Sequence, residues 1–198
     1  MCFLMISSSV HQNRFDHYFS FGRFIMDVSK ISAGKDVPND VNVVIEIPKD
    51  SRIKYEVDKE SGAVFVDRIV FTPMAYPAAY GFIPHTLAAD GDPIDALVIL
   101  PVAVQPGCVV RARPIGVLKM EDESGMDEKI ICVPHDKVHP ICSKIQSIDD
   151  LPEIVRQEIE HFFTHYKDLE KNKWVKVEGW DNREKACELI FKAFNNYK

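Results

Sequence analysis

Long apolar runs are missing from this 198-residue chain. The longest nearly unbroken one, 96–104, contains Pro101 and falls well short of the ~20 apolar residues that a membrane-spanning helix needs. An excess of positive charge is missing too. The 24 basic residues against 30 acidic ones leave a net charge of −6, a field that repels phosphate backbones and argues against a non-specific nucleic-acid binder. Cysteine is sparse and odd in number, at five, with no C-x-x-C pair and no N-x-[ST] acceptor, so a reducing, cytoplasmic compartment is expected. The phosphate loop G-x-x-x-x-G-K-[ST], the dinucleotide fingerprint G-x-G-x-x-G and the nucleophile elbow G-x-S-x-G are all absent, which leaves a nucleotide-binding α/β fold unsupported.

What is present reads as a folded chain: 46% hydrophobic and 27% charged residues are ordinary for a globular protein, and the length suits about one domain. Residues 1–25 differ in texture, with MCFLMISSS followed by His, Arg, Phe and Tyr, and Met26 stands just before an acidic residue. We expect 1–25 to be an N-terminal extension outside the fold, either a disordered arm or a mis-assigned start, and 26–198 to form a single domain. From residue 42 onward short β-prone runs succeed one another, at 42–47, 52–57, 63–71, 97–100, 108–119 and 129–133. Ile53, Tyr55 and Val57 alternate with Lys54, Glu56 and Asp58, which predicts one core-facing and one charged face. Short strands at close spacing suggest a barrel. Helix comes late: Asp150 with Glu153 is a candidate cap for a segment through Tyr166, and a second helix should run from Asn182 onward, after a strand over 173–180.

The sharpest local feature is Asp90-Gly-Asp-Pro-Ile-Asp95, three carboxylates within a Gly/Pro-bent segment. Crowded anions repel, and a hard divalent cation bound through oxygen relieves the repulsion, so Mg²⁺ or Ca²⁺ is the natural ligand. A solvated Asp-Gly turn is the competing reading. An EF-hand is excluded, because its sixth and twelfth positions fall on Asp95 and Pro101. A second acidic cluster, Glu121-Asp122-Glu123 with Asp127-Glu128, reads on its own as a solvated hairpin tip. Glu46 interrupts an apolar strand and, if buried, needs a partner; Arg68 raises the same question. Lys54 and Glu56 share a strand face that reads as solvated. Tyr166-Lys167 could offer a hydroxyl and an ammonium to an anion, or Lys167 could complement the helix dipole. His161 and His165 have the spacing of a metal pair, but Phe162 stands where a zincin carries its Glu, so they read as packing or interface residues. A carboxylate-rich site with scattered Lys, Arg and Tyr suits metal-assisted attack of water on phosphorus.

Together, Val43-Val-Ile-Glu-Ile-Pro48, Ile53-Lys-Tyr-Glu56, Lys59-Glu-Ser-Gly62, DGDPID, Gly116-Val-Leu-Lys-Met120, 122–129, 161–171 and Trp174-Val-Lys-Val-Glu-Gly-Trp180 resemble the family I soluble inorganic pyrophosphatases of bacterial type. The resemblance covers nearly everything after about Ser32. It implies a mainly β chain with flanking α-helices, an α+β fold around a five-stranded OB-like barrel. It also implies hydrolysis of pyrophosphate to two orthophosphates with several Mg²⁺ ions per site, and a homo-oligomer, commonly a hexamer, in which His161 and His165 could serve an interface. By the same resemblance Asp90, Asp95 and Asp127 would ligate metal, with Asp95 bridging two ions. Asp122 and Glu56 would help hold metals that arrive with substrate, and Asp92 would be the general base. Lys54, Arg68, Tyr80, Lys129, Tyr166 and Lys167 match phosphate-binding positions, and Glu46 and Tyr76 supporting ones. The chain departs from common bacterial members at Ala78-Ala79, where Cys-Asn is frequent, and at Asn172, where Gly often stands.

Overall fold

The computed structural model describes residues 27–197; the expectations for 1–25 and Met26 lie outside the described residues. The elements in chain order are β1 (Gly34–Asp36), β2 (Asp40–Ile47), β3 (Ile53–Val57), β4 (Val64–Ile69), β5 (Ala79–Phe82), β6 (Asp95–Val98), β7 (Val109–Asp122), β8 (Gly125–Met126), β9 (Lys129–Pro134), α1 (Glu153–His165), β10 (Val175–Asp181) and α2 (Arg183–Asn196).

Five strands close on themselves. β2 pairs with β5, β5 with β6, β6 with β9, β9 with β7, and β7 returns to β2 through Val41 opposite Ala112 and Val44 opposite Val109. All of these contacts are antiparallel except β6 with β9. The long β7 makes the closure possible, because its first residues pair with β2 and its last with β10 while its middle serves β9. A closed ring leaves its member strands no open edge, as the OB-like expectation requires.

Both faces of the ring are covered, which is why β9 is buried at every position and reads as an unbroken apolar run after Lys129. Ile130 and Cys132 belong to one core with Ala186, Ile190 and Ala193 of α2. Ile131 and Val133 belong to another with Ile159, Phe162 and Phe163 of α1. The period-2 alternation of a strand divides them so.

β3 and β4 stand apart as a two-stranded sheet. With no third strand to cover it, the hairpin buries only Val57 fully, and Phe65, Val66 and Ile69 are exposed. The core face expected for Ile53 and Tyr55 is therefore only half realised. The cap expected at Asp150 is also displaced: its carboxylate accepts from the Ser147 and Gln146 amides, closing a one-turn 3-10 helix, and α1 begins after Pro152. Proline suits a helix start because it has no N–H to leave unpaired. α2 starts as expected, with the Asn182 side chain accepting from the Lys185 amide at 2.9 Å.

Gly81 sits in the ring where β5 passes between β2 and β6, and a Cβ there would stand 1.8 Å from the Val44 carbonyl oxygen. Gly81→Ala is expected to destabilise the fold by roughly 3 kcal/mol or more, because backbone must move to admit the methyl. Urea unfolding measures it, and an unchanged midpoint would contradict so close an approach.

Candidate active site

Asp95 opens β6 and Lys129 opens β9, and since these strands are parallel neighbours in register, both residues emerge at the same end of the ring. Lys129 is 3% exposed. Its ammonium donates to Asp95 Oδ2 at 2.5 Å and to Asp127, and lies 3.4 Å from the Tyr80 hydroxyl. Burial alone would push this amine down, but Asp95 and Asp127 hold it well above its ordinary value. Burial raises the Asp127 carboxyl even with Lys129 beside it, and raises the Tyr80 phenol.

Next to this cluster is a cavity of about 300 Å³. Glu46, Lys54, Glu56, Lys59, Tyr80, Asp90, Asp92 and Asp95 line it, so β2, β3, the turn after β3, β5 and the 90–95 segment all contribute. Gly91, at φ 92, makes the bend that folds the Asp92 amide back onto Asp90 Oδ1 at 3.0 Å. Asp92 is exposed and pairs with Lys59 at 2.8 Å. Glu46 accepts from the Val57 amide at 2.8 Å and is pushed by burial to about 7. Lys54 donates to Glu56 and pairs with Asp67 at 3.1 Å.

The turn after α1 carries a further charge cluster. Tyr166 and Lys167 follow the helix directly and are both buried. The Lys167 ammonium donates to Asp122 at 2.8 Å and to Glu123 at 3.4 Å, and Glu123 also accepts from Lys173. Although burial opposes it, the Lys173 hydrogen bond brings the Glu123 carboxyl to about 2. Arg68 donates to Asp67 at 2.6 Å and through Nε to Glu170 at 3.2 Å. Tyr76 packs its ring 5.5 Å from Tyr80 and 4.7 Å from Phe162, and Phe162 stacks on Tyr166 at 5.0 Å, so aromatic contacts join the ring strands to the helix.

Of the residues proposed for the site, Glu46, Lys54, Glu56, Tyr80, Asp90, Asp92 and Asp95 line the cavity, and Arg68, Tyr76, Asp122, Asp127, Lys129, Tyr166 and Lys167 lie in ion-pair or aromatic contacts outside its lining. The solvated reading gives way for Asp122, Glu123 and Asp127, which are engaged by lysines, and for Lys54, held between two carboxylates, but stands for Glu56, whose side chain is exposed. Among the described residues, no three His, Cys, Asp or Glu side chains converge closely enough to hold an ion as they stand. Lysine ammoniums lie against several of these carboxylates instead. His161 and His165 do not pack inward: both are exposed on α1, their rings 4.7 Å apart, with His165 Nδ1 2.9 Å from Asp168. Sequence reasoning gave no site role to Lys59, Asp67, Glu170 or Lys173, and read Glu123 only as part of a solvated hairpin tip. Asp67 and Glu123 adjoin residues that were given site roles, and Lys59 and Glu170 lie in quoted stretches, but nothing local pairs Glu170 with a partner 102 positions away.

Comparison with known proteins supplies the frame. Residues 43–198 match the family described as inorganic pyrophosphatase. The chain belongs to the inorganic pyrophosphatase family. It is 72% identical to the inorganic pyrophosphatase of Gluconobacter oxydans (strain 621H) over 85% of this chain and 97% of that protein. With that of Escherichia coli (strain K12) it shares 55% over 87% and 99%. Among solved structures, the Helicobacter pylori inorganic pyrophosphatase superposes with a TM-score of 0.82 at 55% identity, covering 85% of this chain and 98% of that one. That of Thermus thermophilus gives 0.83 at 45%, covering 87% and 99%. Within this pyrophosphatase family the departures noted above have physical explanations. Ala78 and Ala79 are buried small residues at the start of β5, and Asn172 has φ 62, a left-handed conformation that Asn tolerates after Gly.

The raised Glu46 carboxyl fixes a pH dependence. Its folded value of about 7 lies above the unfolded carboxylate range, so its contribution to stability is present at low pH and is lost as pH rises through 7. In chelator, Glu46→Gln should gain stability over the native chain between about pH 4.5 and 7, read from urea midpoints across that range. Parallel midpoints would show Glu46 ionising normally.

Proposed function

We propose that this chain hydrolyses inorganic pyrophosphate to two orthophosphates, using several Mg²⁺ ions and Asp92 as the general base. The observation that carries the reading is the interleaving of carboxylates and ammoniums, in one cavity lined by Glu46, Lys54, Glu56, Lys59, Asp90, Asp92 and Asp95 and in the adjoining cluster of buried Lys129 between Asp95 and Asp127. A site for cations alone gains nothing from added lysines, and a site for phosphates alone gains nothing from added aspartates. A substrate that comes as a metal–phosphate complex needs both.

The donor set fits Mg²⁺. All the candidate ligands are hard carboxylate oxygens, and the raised Asp127 carboxyl is one that a bound cation would keep ionised. In this reading Asp90, Asp95 and Asp127 would hold the principal ions, and Asp122 and Glu56 those that enter with substrate. When bound, the ions supply positive charge that lowers the pKa of an attacking water and offsets the charge of the phosphates. Asp92, exposed at the cavity mouth, accepts the water's proton. Lys54, Arg68, Tyr80, Lys129, Tyr166 and Lys167 bind and orient the phosphoryl oxygens, Lys and Arg by charge and the tyrosines as neutral donors whose phenols burial keeps protonated. Glu46 and Tyr76 support: one ties β2 to the end of β3, and the other packs Tyr80 against α1.

We assign residues 26–198 to a single domain of this activity, supported by the family match over 43–198, with 1–25 as an extension to it. A homo-oligomer, a hexamer by family likeness, and a cytoplasmic location complete the reading. No helix among the described residues is long and apolar enough to cross a membrane. The paired His161 and His165 on the outer face of α1 are candidates for a subunit contact.

Orthophosphate release from pyrophosphate should require Mg²⁺ and fall by about 10³-fold or more in Asp92→Asn, while a simple phosphomonoester is left intact. No release from the folded, Mg²⁺-supplemented native chain would favour a metal-binding module without turnover. Light scattering coupled to size exclusion should find a multiple of the chain mass, and a monomer would refute the oligomer.

A further inference from the structure

The site is assembled from separate parts of the fold, and the β3–β4 hairpin lies outside the main sheet. It forms its own two-stranded sheet, yet it carries Lys54, Glu56 and Arg68. Toward its turn the hairpin is held by Val57, which packs with Val44 and Phe82 and whose amide donates to Glu46. Its other end carries Arg68, directly opposite Lys54. There Asp67 accepts from Arg68 and pairs with Lys54, but Asp67 belongs to the hairpin itself and fastens it to nothing else. Glu170 comes from the turn after α1. Its side chain is 9% exposed and its Oε1 accepts from Arg68 Nε at 3.2 Å across 102 residues of sequence. Its backbone is fixed in the turn after α1: the Glu170 amide donates to the Lys167 carbonyl at 2.8 Å, and the Lys173 amide donates to the Glu170 carbonyl at 3.3 Å. The residue that reaches Arg68 is thus built into the same turn that carries Tyr166 and Lys167.

We propose that Glu170 is a positioning residue that docks Arg68, and with it the Lys54 end of the hairpin, against the turn bearing Tyr166 and Lys167. The proposal rests on the pyrophosphatase reading above and adds to it the device that keeps the cationic groups of the hairpin and of the turn after α1 in one arrangement. A carboxylate fits this task because it accepts from Nε while Asp67 takes Nη1, so that Nη2 can meet a phosphate oxygen. Withdrawing it frees the hairpin end without removing any group that meets substrate. The loss should therefore appear in substrate binding more than in the chemical step.

The test compares Glu170→Ala and Glu170→Gln with the native chain in steady-state hydrolysis of magnesium pyrophosphate and in amide hydrogen exchange over 53–69. Glu170→Ala should raise KM about tenfold with kcat within about twofold, and should speed exchange in the hairpin. Glu170→Gln, whose amide oxygen still accepts from Nε, should restore most of both. Glu170→Asp keeps the charge but draws the carboxylate back, and should behave as Ala does, which keeps the test available if the Ala variant folds poorly. In an Arg68→Ala background, Glu170→Ala should add nothing further to KM, because its effect runs through Arg68. An unmoved KM with unmoved exchange, a Gln variant as defective as Ala, or an additive double variant would each overturn the proposal. A native chain without pyrophosphatase activity would overturn the activity reading instead, and hydrogen exchange would then still decide whether Glu170 holds the hairpin.

Discussion

A buried ammonium between two carboxylates is the constraint around which this site is organised. Lys129, at 3% exposure, could not remain charged in the ring's interior without Asp95 and Asp127, and those carboxylates, crowded at one strand end, could not remain ionised together without a cation. Neither charge set is stable there alone. The parallel pairing of β6 with β9 puts Asp95 and Lys129 side by side, and Asp127, two residues before Lys129, accepts from the same ammonium. The cluster therefore exists only once the ring has closed.

The same rule extends outward. Lys54 lies between Glu56 and Asp67, Lys59 against Asp92, Lys167 against Asp122 and Glu123, and Arg68 between Asp67 and Glu170. Each pairing joins elements far apart in sequence or fixes a side chain at the cavity edge. The contacts differ in strength with burial. Lys129 and Lys167 are enclosed and hold their partners in a low-dielectric setting, whereas the exposed Lys59–Asp92 pair is weakly held and easily exchanged. That gradient suits a site whose mouth must admit a highly charged substrate while its floor stays fixed.

Local patterns in the sequence resolved most of the strands, both helices and the acidic 90–95 bend, because alternation, helical spacing and Asn182 act over a few residues. They missed β5, whose Ala-Tyr-Gly-Phe is short and carries no β-branched residue, and which is a strand because β2 and β6 flank it. They placed the first helix cap at Asp150, where Ser147 competes for the same carboxylate. The 121–128 cluster and the Lys54–Glu56 face looked solvated because nothing nearby in sequence reveals that Lys167, Lys173 and Asp67 will meet them. Family resemblance supplied the role of those carboxylates, which spacing alone left open between a turn and a metal site.

By itself, then, the sequence determined the class of the fold, the chemical types gathered for the site and the bend that carries Asp90, Asp92 and Asp95, all of which depend on neighbours within one turn or one strand. Tertiary structure decided which charge meets which. Arg68 finds Glu170 and Lys167 finds Asp122 only when the ring, the hairpin and the end of α1 pack together. The reason is physical: an ion pair is set by distance and burial, and both are properties of the closed fold rather than of any stretch of chain.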